Sequence, residues 1–173
     1  ASTTAALAMG DALAVAVYTK RGFKAEDFAE NHPGGSLGRQ LLTRVKDLMH
    51  KGDAIPLVSP QTRMKEVISL MTSKDVRGIC GVVNEKGELI GAITDGDLRR
   101  KLDKSKNPLE DQAKDLVTPN PKVIDSNELA EKALFLMEQF AIQSLFVVDL
   151  AASNAKQPIG LLHLQDLLKA KIR

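Results

Sequence analysis

The strongest constraint on this chain is that it repeats itself. The stretch VKDLMHKGDAIPLVSPQTRMKEVISLMTSKDVRGICGVVNEKGELIGAITDGDLRR runs parallel to AKDLVTPNPKVIDSNELAEKALFLMEQFAIQSLFVVDLAASNAKQPIGLLHLQDLLK. Lys46, Asp47 and Leu48 align with Lys114, Asp115 and Leu116. Val82 and Val83 align with Val147 and Val148, and Gly91, Asp97 and Leu98 with Gly160, Asp166 and Leu167. The offset between copies drifts slightly because the loops differ in length. After Asp149 the second copy carries LAASNAKQP where the first has the shorter NEKGE.

Both copies share one order of elements. A short extended segment, AIPLVS or PKVID, precedes a helix. In the first helix Met64, Val67, Ile68 and Met71 recur at steps of three and four, which gathers them on one face; Ala130, Ala133, Leu134 and Met137 do the same in the second. Two apolar strands follow, GICGVV with LIGAIT and SLFVVD with IGLLHL, and Gly87 supplies the positive φ of the first hairpin. A last amphipathic helix starts at the Asp of DGDLRR or LQDLLK. The unit is β-α-β-β-α, an α/β (α+β) fold class. A copy of about 60 residues buries little surface alone, so two copies are expected to share a core. The boundaries are read as 44–103 and 113–171, with the charged, Pro108-bearing segment 104–112 as linker.

Composition removes several function classes. With no Trp, one Tyr and five Phe, the core has to be aliphatic. A net charge of +2 without a basic run gives no nucleic-acid surface. No apolar run reaches the roughly 18 residues needed to cross a bilayer. Cys80 is the one cysteine and sits in a strand pattern, which reads as core rather than nucleophile and fits a cytoplasmic setting.

The opening VKDLM, the paired VV strand ends and the pattern G-x-I-T-x-x-D-L, in the same order twice, resemble the CBS domain pair, or Bateman module. The best candidate site is AITDGDLRR. A strand ends at Thr94 and a helix begins near Asp97, where free N–H groups favour an anion. By the resemblance, Thr94 holds a phosphate and Asp97 a ribose. Asp97 as a plain helix N-cap is the competing reading. In the second copy Asp166 is kept but His163 replaces the Thr; a partly exposed strand-end His with Asp166 as cap is favoured there over an anion site. Arg100 is a candidate to line the phosphate or an interface, and Arg77 to touch a base, with a plain solvated charge as the competing reading for each.

Residues 1–41 do not belong to the repeat. STTAALAMGDALAVAVYTKRGF reads as one long helix, capped within Ser2 to Thr4 and stopped at Gly22. A short helix, the turn His32-Pro33-Gly34-Gly35 and a new helix start follow. The string AMGDALAVAV, RGF, EDFA, HPGGSLGR resembles the end of the sugar isomerase (SIS) domain in D-arabinose 5-phosphate isomerases, which join an SIS domain to a CBS pair. That family interconverts D-ribulose 5-phosphate and D-arabinose 5-phosphate for synthesis of Kdo, a sugar acid of lipopolysaccharide. The resemblance makes His32 catalytic, and a near-neutral imidazole suits proton movement through an enediol. It makes the chain a C-terminal, regulatory and oligomerising part of such an enzyme, inactive alone. The parent takes a sugar phosphate, needs neither metal nor catalytic cofactor, and assembles through CBS dimers into a tetramer. The regulatory ligand is expected to be a nucleotide or a nucleotide-sugar such as CMP-Kdo. A generic ligand-sensing CBS module of another protein, and a structural dimerisation module with empty sites, remain the alternatives.

Overall fold

The computed structural model describes residues 2–24, 27, 41–72, 78–102 and 107–172, with the side chains of Lys101 and Leu102 left aside. The chain divides into two units, Ala1–Leu42 and Thr43–Arg173.

In the first unit helix α1 spans Ser2–Lys20. It starts at Ser2, so Thr3 and Thr4 lie in its first turn rather than before it; the alanine-rich sequence that follows propagates a helix well. Its end is set by Gly22, with φ +62°. The Gly22 N–H donates to Thr19 O at 3.1 Å and the Phe23 N–H to Tyr18 O at 3.1 Å. The Tyr18 and Phe23 rings meet at 4.6 Å between centroids. That pairing of bonds with an apolar contact across the stop is a Schellman motif, and it needs the left-handed residue that glycine supplies. None of the α1 residues is buried.

The second unit opens with helix α2 (Val45–Leu48) and a 3₁₀ turn (Gly52–Ala54). Strand β1 (Leu57–Val58), helix α3 (Met64–Met71), strands β2 (Ile79–Val83) and β3 (Leu89–Thr94) and helix α4 (Asp95–Leu102) form the first copy. A 3₁₀ turn (Ala113–Asp115) and β4 (Thr118–Pro119) lead into β5 (Val123–Asp125), α5 (Ala130–Gln139), β6 (Ser144–Val148), β7 (Gly160–His163) and α6 (Leu164–Lys169). In each copy the strand before the helix pairs parallel to the next strand, which pairs antiparallel to the third. This is the tandem β-α-β-β-α fold read from the repeat.

The lead-in segments are exchanged between copies. Strand β4 precedes the second copy but pairs with β3 of the first, Ala92 opposite Thr118. His50 precedes the first copy but bridges Leu161 of β7 in the second. Gly91 and Gly160 make room for this. A Cβ on Gly91 would collide with Val117 Cγ2 and stand 2.8 Å from Thr118 O; one on Gly160 would collide with Met49 Sδ and stand 3.2 Å from His50 O. The matched glycines are therefore sites of close backbone approach.

Packing follows the exchange. Val45, from the first lead-in, is buried with Ala130, Ala133, Met137, Leu145 and Leu162 of the second copy. Ala113, from the second lead-in, is buried with Met64, Val67, Cys80, Val82 and Ile93 of the first. A third cluster of Ile79, Ala92, Phe146 and Leu161 joins the two sheets. The long loop of the second copy also crosses over: the Leu89 N–H donates to Lys156 O at 3.0 Å, and Asn154 Nδ2 to Lys86 O at 3.3 Å.

Candidate functional site

Helix α4 begins at Asp95, directly after the strand, the first residue of DGDLRR and two before Asp97. Thr94 is the residue before the helix and Asp97 its third residue, the arrangement of a capping box. The Asp97 Oδ2 atom accepts the Thr94 N–H at 2.8 Å and the Thr94 hydroxyl at 2.7 Å, and the Asp97 N–H faces Thr94 Oγ1 at 3.4 Å. Asp97 is thus the returning half of the cap. The Asp95 N–H donates to Gly78 O at 3.1 Å. With that donor and the Asp97 N–H engaged, the anion cradle is narrower than a bare helix start provides.

The other carboxylate oxygen reaches further. Asp97 Oδ1 accepts from Arg100 Nη2 at 2.6 Å and from the Thr118 hydroxyl at 3.1 Å. Burial pushes the Asp97 carboxyl upward, but the Thr94 hydroxyl and N–H, the Arg100 guanidinium and the Thr118 hydroxyl outweigh it and hold it below the usual aspartate value.

This carboxylate opens onto a cavity of about 590 Å³ between the two copies. One wall is Gly78, Ile79, Ala92, the residues from Thr94 to Asp97, and Arg100; Thr118 and the residues from Asn120 to Lys122 edge it; Phe140 to Ser144 and Phe146 form the opposite wall. Polar donors and acceptors cluster at the helix start, and apolar side chains (Ile79, Phe140, Ile142, Phe146) face the rest. Lys122 Nζ lies over the Phe140 ring, 4.2 Å from its centroid. A concave, partly apolar site with a few convergent polar groups is what a small ligand requires.

The second copy repeats the geometry with other chemistry. His163 is buried, 5% exposed, rather than a partly exposed strand end. It is itself the cap of α6: its Nδ1 accepts the Gln165 N–H at 3.2 Å, and its own N–H donates to Asp166 Oδ2 at 3.2 Å. His50 Nε2 stands 3.0 Å from Asp166 Oδ2. His50 thus plays toward Asp166 the part that Thr118 plays toward Asp97. Among the described residues no three His, Cys, Asp or Glu side chains are grouped to hold a metal ion.

Thr94, Asp97 and Arg100 are therefore brought together, while His163 and Asp166 form a separate pair. Arg77 and His32 lie outside the described residues. The sequence reading passed over Thr118, Lys122, Phe140 and Gln143. A signal for Thr118 existed: it follows AKDLV as His50 follows VKDLM.

The model of the CBS domain family matches residues 45–104 and 113–173. The chain belongs to the CBS domain family. It is 43% identical, over 99% of its length, to the arabinose 5-phosphate isomerase KdsD of Pseudomonas aeruginosa, of which it covers 51%. It spans about half the length of the curated relatives it matches. Among solved structures, CBSX2 in complex with AMP is 26% identical with a TM-score of 0.61, over 75% of this chain and 96% of that one. The CBS domain pair of protein MJ0100, in complex with 5′-methylthioadenosine and S-adenosyl-L-methionine, shares the fold with a TM-score of 0.62 at 20% identity, over 73% of this chain and 94% of that one. Among the described residues no helix of this CBS pair is long and apolar enough to cross a membrane.

Proposed function

We propose that the cleft at Thr94 and Asp97 binds a nucleotide or nucleotide-sugar, and that the CBS pair regulates and helps to oligomerise a cytoplasmic D-arabinose 5-phosphate isomerase. The observation that carries the ligand reading is the cavity of about 590 Å³. Its polar corner offers a hydroxyl, a carboxylate and a guanidinium, and its apolar wall suits a base. A phosphate fits beside the Thr94 hydroxyl and a ribose beside Asp97. The AMP complex of CBSX2 supports this chemistry. The isomerase reading rests on the 43% identity to KdsD. In such a parent the substrate is a sugar phosphate, His32 serves proton transfer, and the pair assembles as a dimer within a tetramer. The isolated chain is inactive.

One observation favours a second reading, a structural module with an unused cleft. Asp97 spends both oxygens on capping and cross-linking within the chain. A thermal-shift titration with AMP, ATP, CMP and CMP-Kdo separates the two. A ligand at 100 times its Kd stabilises by about 2.7 kcal/mol. If none of the four moves the melting curve, the structural reading replaces the sensing one. For the parent, His32→Ala is expected to lower turnover by about 100-fold or more; full activity in that variant removes His32 from the mechanism.

A further inference from the structure

We propose that Arg100 is an internal counter-ion which a phosphate-bearing ligand exchanges on binding, so that the cleft selects charged nucleotides over uncharged nucleosides. The inference rests on the nucleotide reading of the same cleft. A carboxylate offers about four acceptor positions, and Asp97 uses as many. Its Oδ2 takes the Thr94 N–H and hydroxyl, and its Oδ1 takes Arg100 at 2.6 Å and Thr118 at 3.1 Å. A ribose hydroxyl that donates to Asp97 has to displace one of these donors.

The four are not equally held. Both Thr94 donors belong to the capping box that starts α4. Thr118 is fixed on β4 by its pairing with Ala92. The Arg100 side chain is 69% exposed, against 11% for Asp97, and loses least by leaving, because water solvates a freed guanidinium. It does not have to go far. The Arg100 Nη1 atom lies 3.4 Å from where a Cβ of Gly96 would stand, and Thr94 Oγ1 lies 3.6 Å from the same point. The guanidinium thus rests across the first turn at contact distance from the Gly96 position, beside the Thr94 hydroxyl and the place proposed for the phosphate. A ligand phosphate there offers Arg100 a bidentate partner in place of the carboxylate. A nucleoside breaks the Arg100–Asp97 pair and offers Arg100 no anion in exchange.

The test is calorimetric titration of the 173-residue chain with AMP and with adenosine, for wild type and Arg100→Ala. The substitution is expected to weaken AMP by about 10-fold, as for loss of a charged hydrogen bond. It is expected to tighten adenosine by about 2- to 5-fold, the worth of an exposed ion pair no longer broken. Arg100→Ala that weakens both ligands equally, or moves neither, overturns the exchange while AMP binding to wild type leaves the nucleotide reading standing. If wild type binds neither ligand but Arg100→Ala binds adenosine, Arg100 is a blocking group and the exchange is wrong. If no form binds either ligand, the nucleotide reading fails and the exchange with it. Unliganded melting of both proteins confirms that the variant is folded.

Discussion

Thr118 donates its hydroxyl to Asp97 Oδ1 at 3.1 Å, from the lead-in of the second copy to the last helix of the first. One residue thereby joins strand β4, the start of α4 and the cleft between copies. The proposed ligand site and the seating of the second copy share this carboxylate. Anything that changes the donors around Asp97 also bears on how the two copies are held together.

The first prediction concerns acid. Asp97 is held below its ordinary value of 3.8 in the folded chain. A depressed carboxyl contributes stability that is complete above the unfolded value and is lost as pH falls through the folded one. The contribution is therefore full at pH 7 and disappears below the usual carboxylate range. Asp97→Asn is expected to cost about 1–2 kcal/mol at pH 7, as for a lost cap. The gap to wild type should narrow in urea titrations run below pH 3.8. A gap that is constant across that range excludes an ionised Asp97 as the stabilising species.

The repeat was legible because helix and strand periods are local. The Met64–Met71 face and the two strand pairs needed no long-range information, and neither did the stop at Gly22. The exchange of lead-ins was harder to see. Whether β4 pairs with the copy before it or the copy after it depends on sheet closure, which no local pattern encodes. Gly91 and Gly160 aligned in the sequence, but the Val117 and Met49 side chains that explain them come from the other copy in each case. The role of Asp97 was left between two readings for a related reason. T-x-x-D is at once a ligand motif and a capping box, and only the φ, ψ path after Thr94 decides where the helix starts.

The matched glycines should differ in tolerance. A Cβ at Gly91 meets a β-branched side chain and, at 2.8 Å, the backbone carbonyl of Thr118. At Gly160 the closest atoms belong to Met49, an unbranched side chain that can turn away. Gly91→Ala is expected to cost about 2–3 kcal/mol and Gly160→Ala about 1 kcal/mol, in the range of overpacked cores. Chemical denaturation of the two variants checks the order. Equal costs would mean that the strand exchange is looser at Gly91 than the geometry requires.

Cys80 is fully buried, and burial pushes its thiol up to about 12. Both facts remove the thiolate that alkylating reagents need. In native buffer at pH 8 an aromatic disulfide reagent is expected to label Cys80 only as fast as the core around Met64 and Val82 opens. Labelling should become immediate in denaturant. Rapid native labelling would show that the first sheet opens locally without global unfolding.

The last prediction uses the internal symmetry. His50 stands opposite Leu161 as Thr118 stands opposite Ala92, and each reaches the aspartate of the neighbouring helix start. If the geometry rather than the imidazole is what holds the first lead-in, a hydroxyl at position 50 should serve. His50→Ala takes a hydrogen-bond partner from Asp166, whose side chain is 11% exposed, and is expected to cost about 1–2 kcal/mol. His50→Thr should recover at least half of that loss, because a Thr in the matching place already bonds Asp97. Thermal melts of the three proteins at pH 7 read the difference. A His50→Thr variant no more stable than His50→Ala would mean that the longer imidazole is needed to span the gap, and that the two lead-ins are symmetric in path but not in reach.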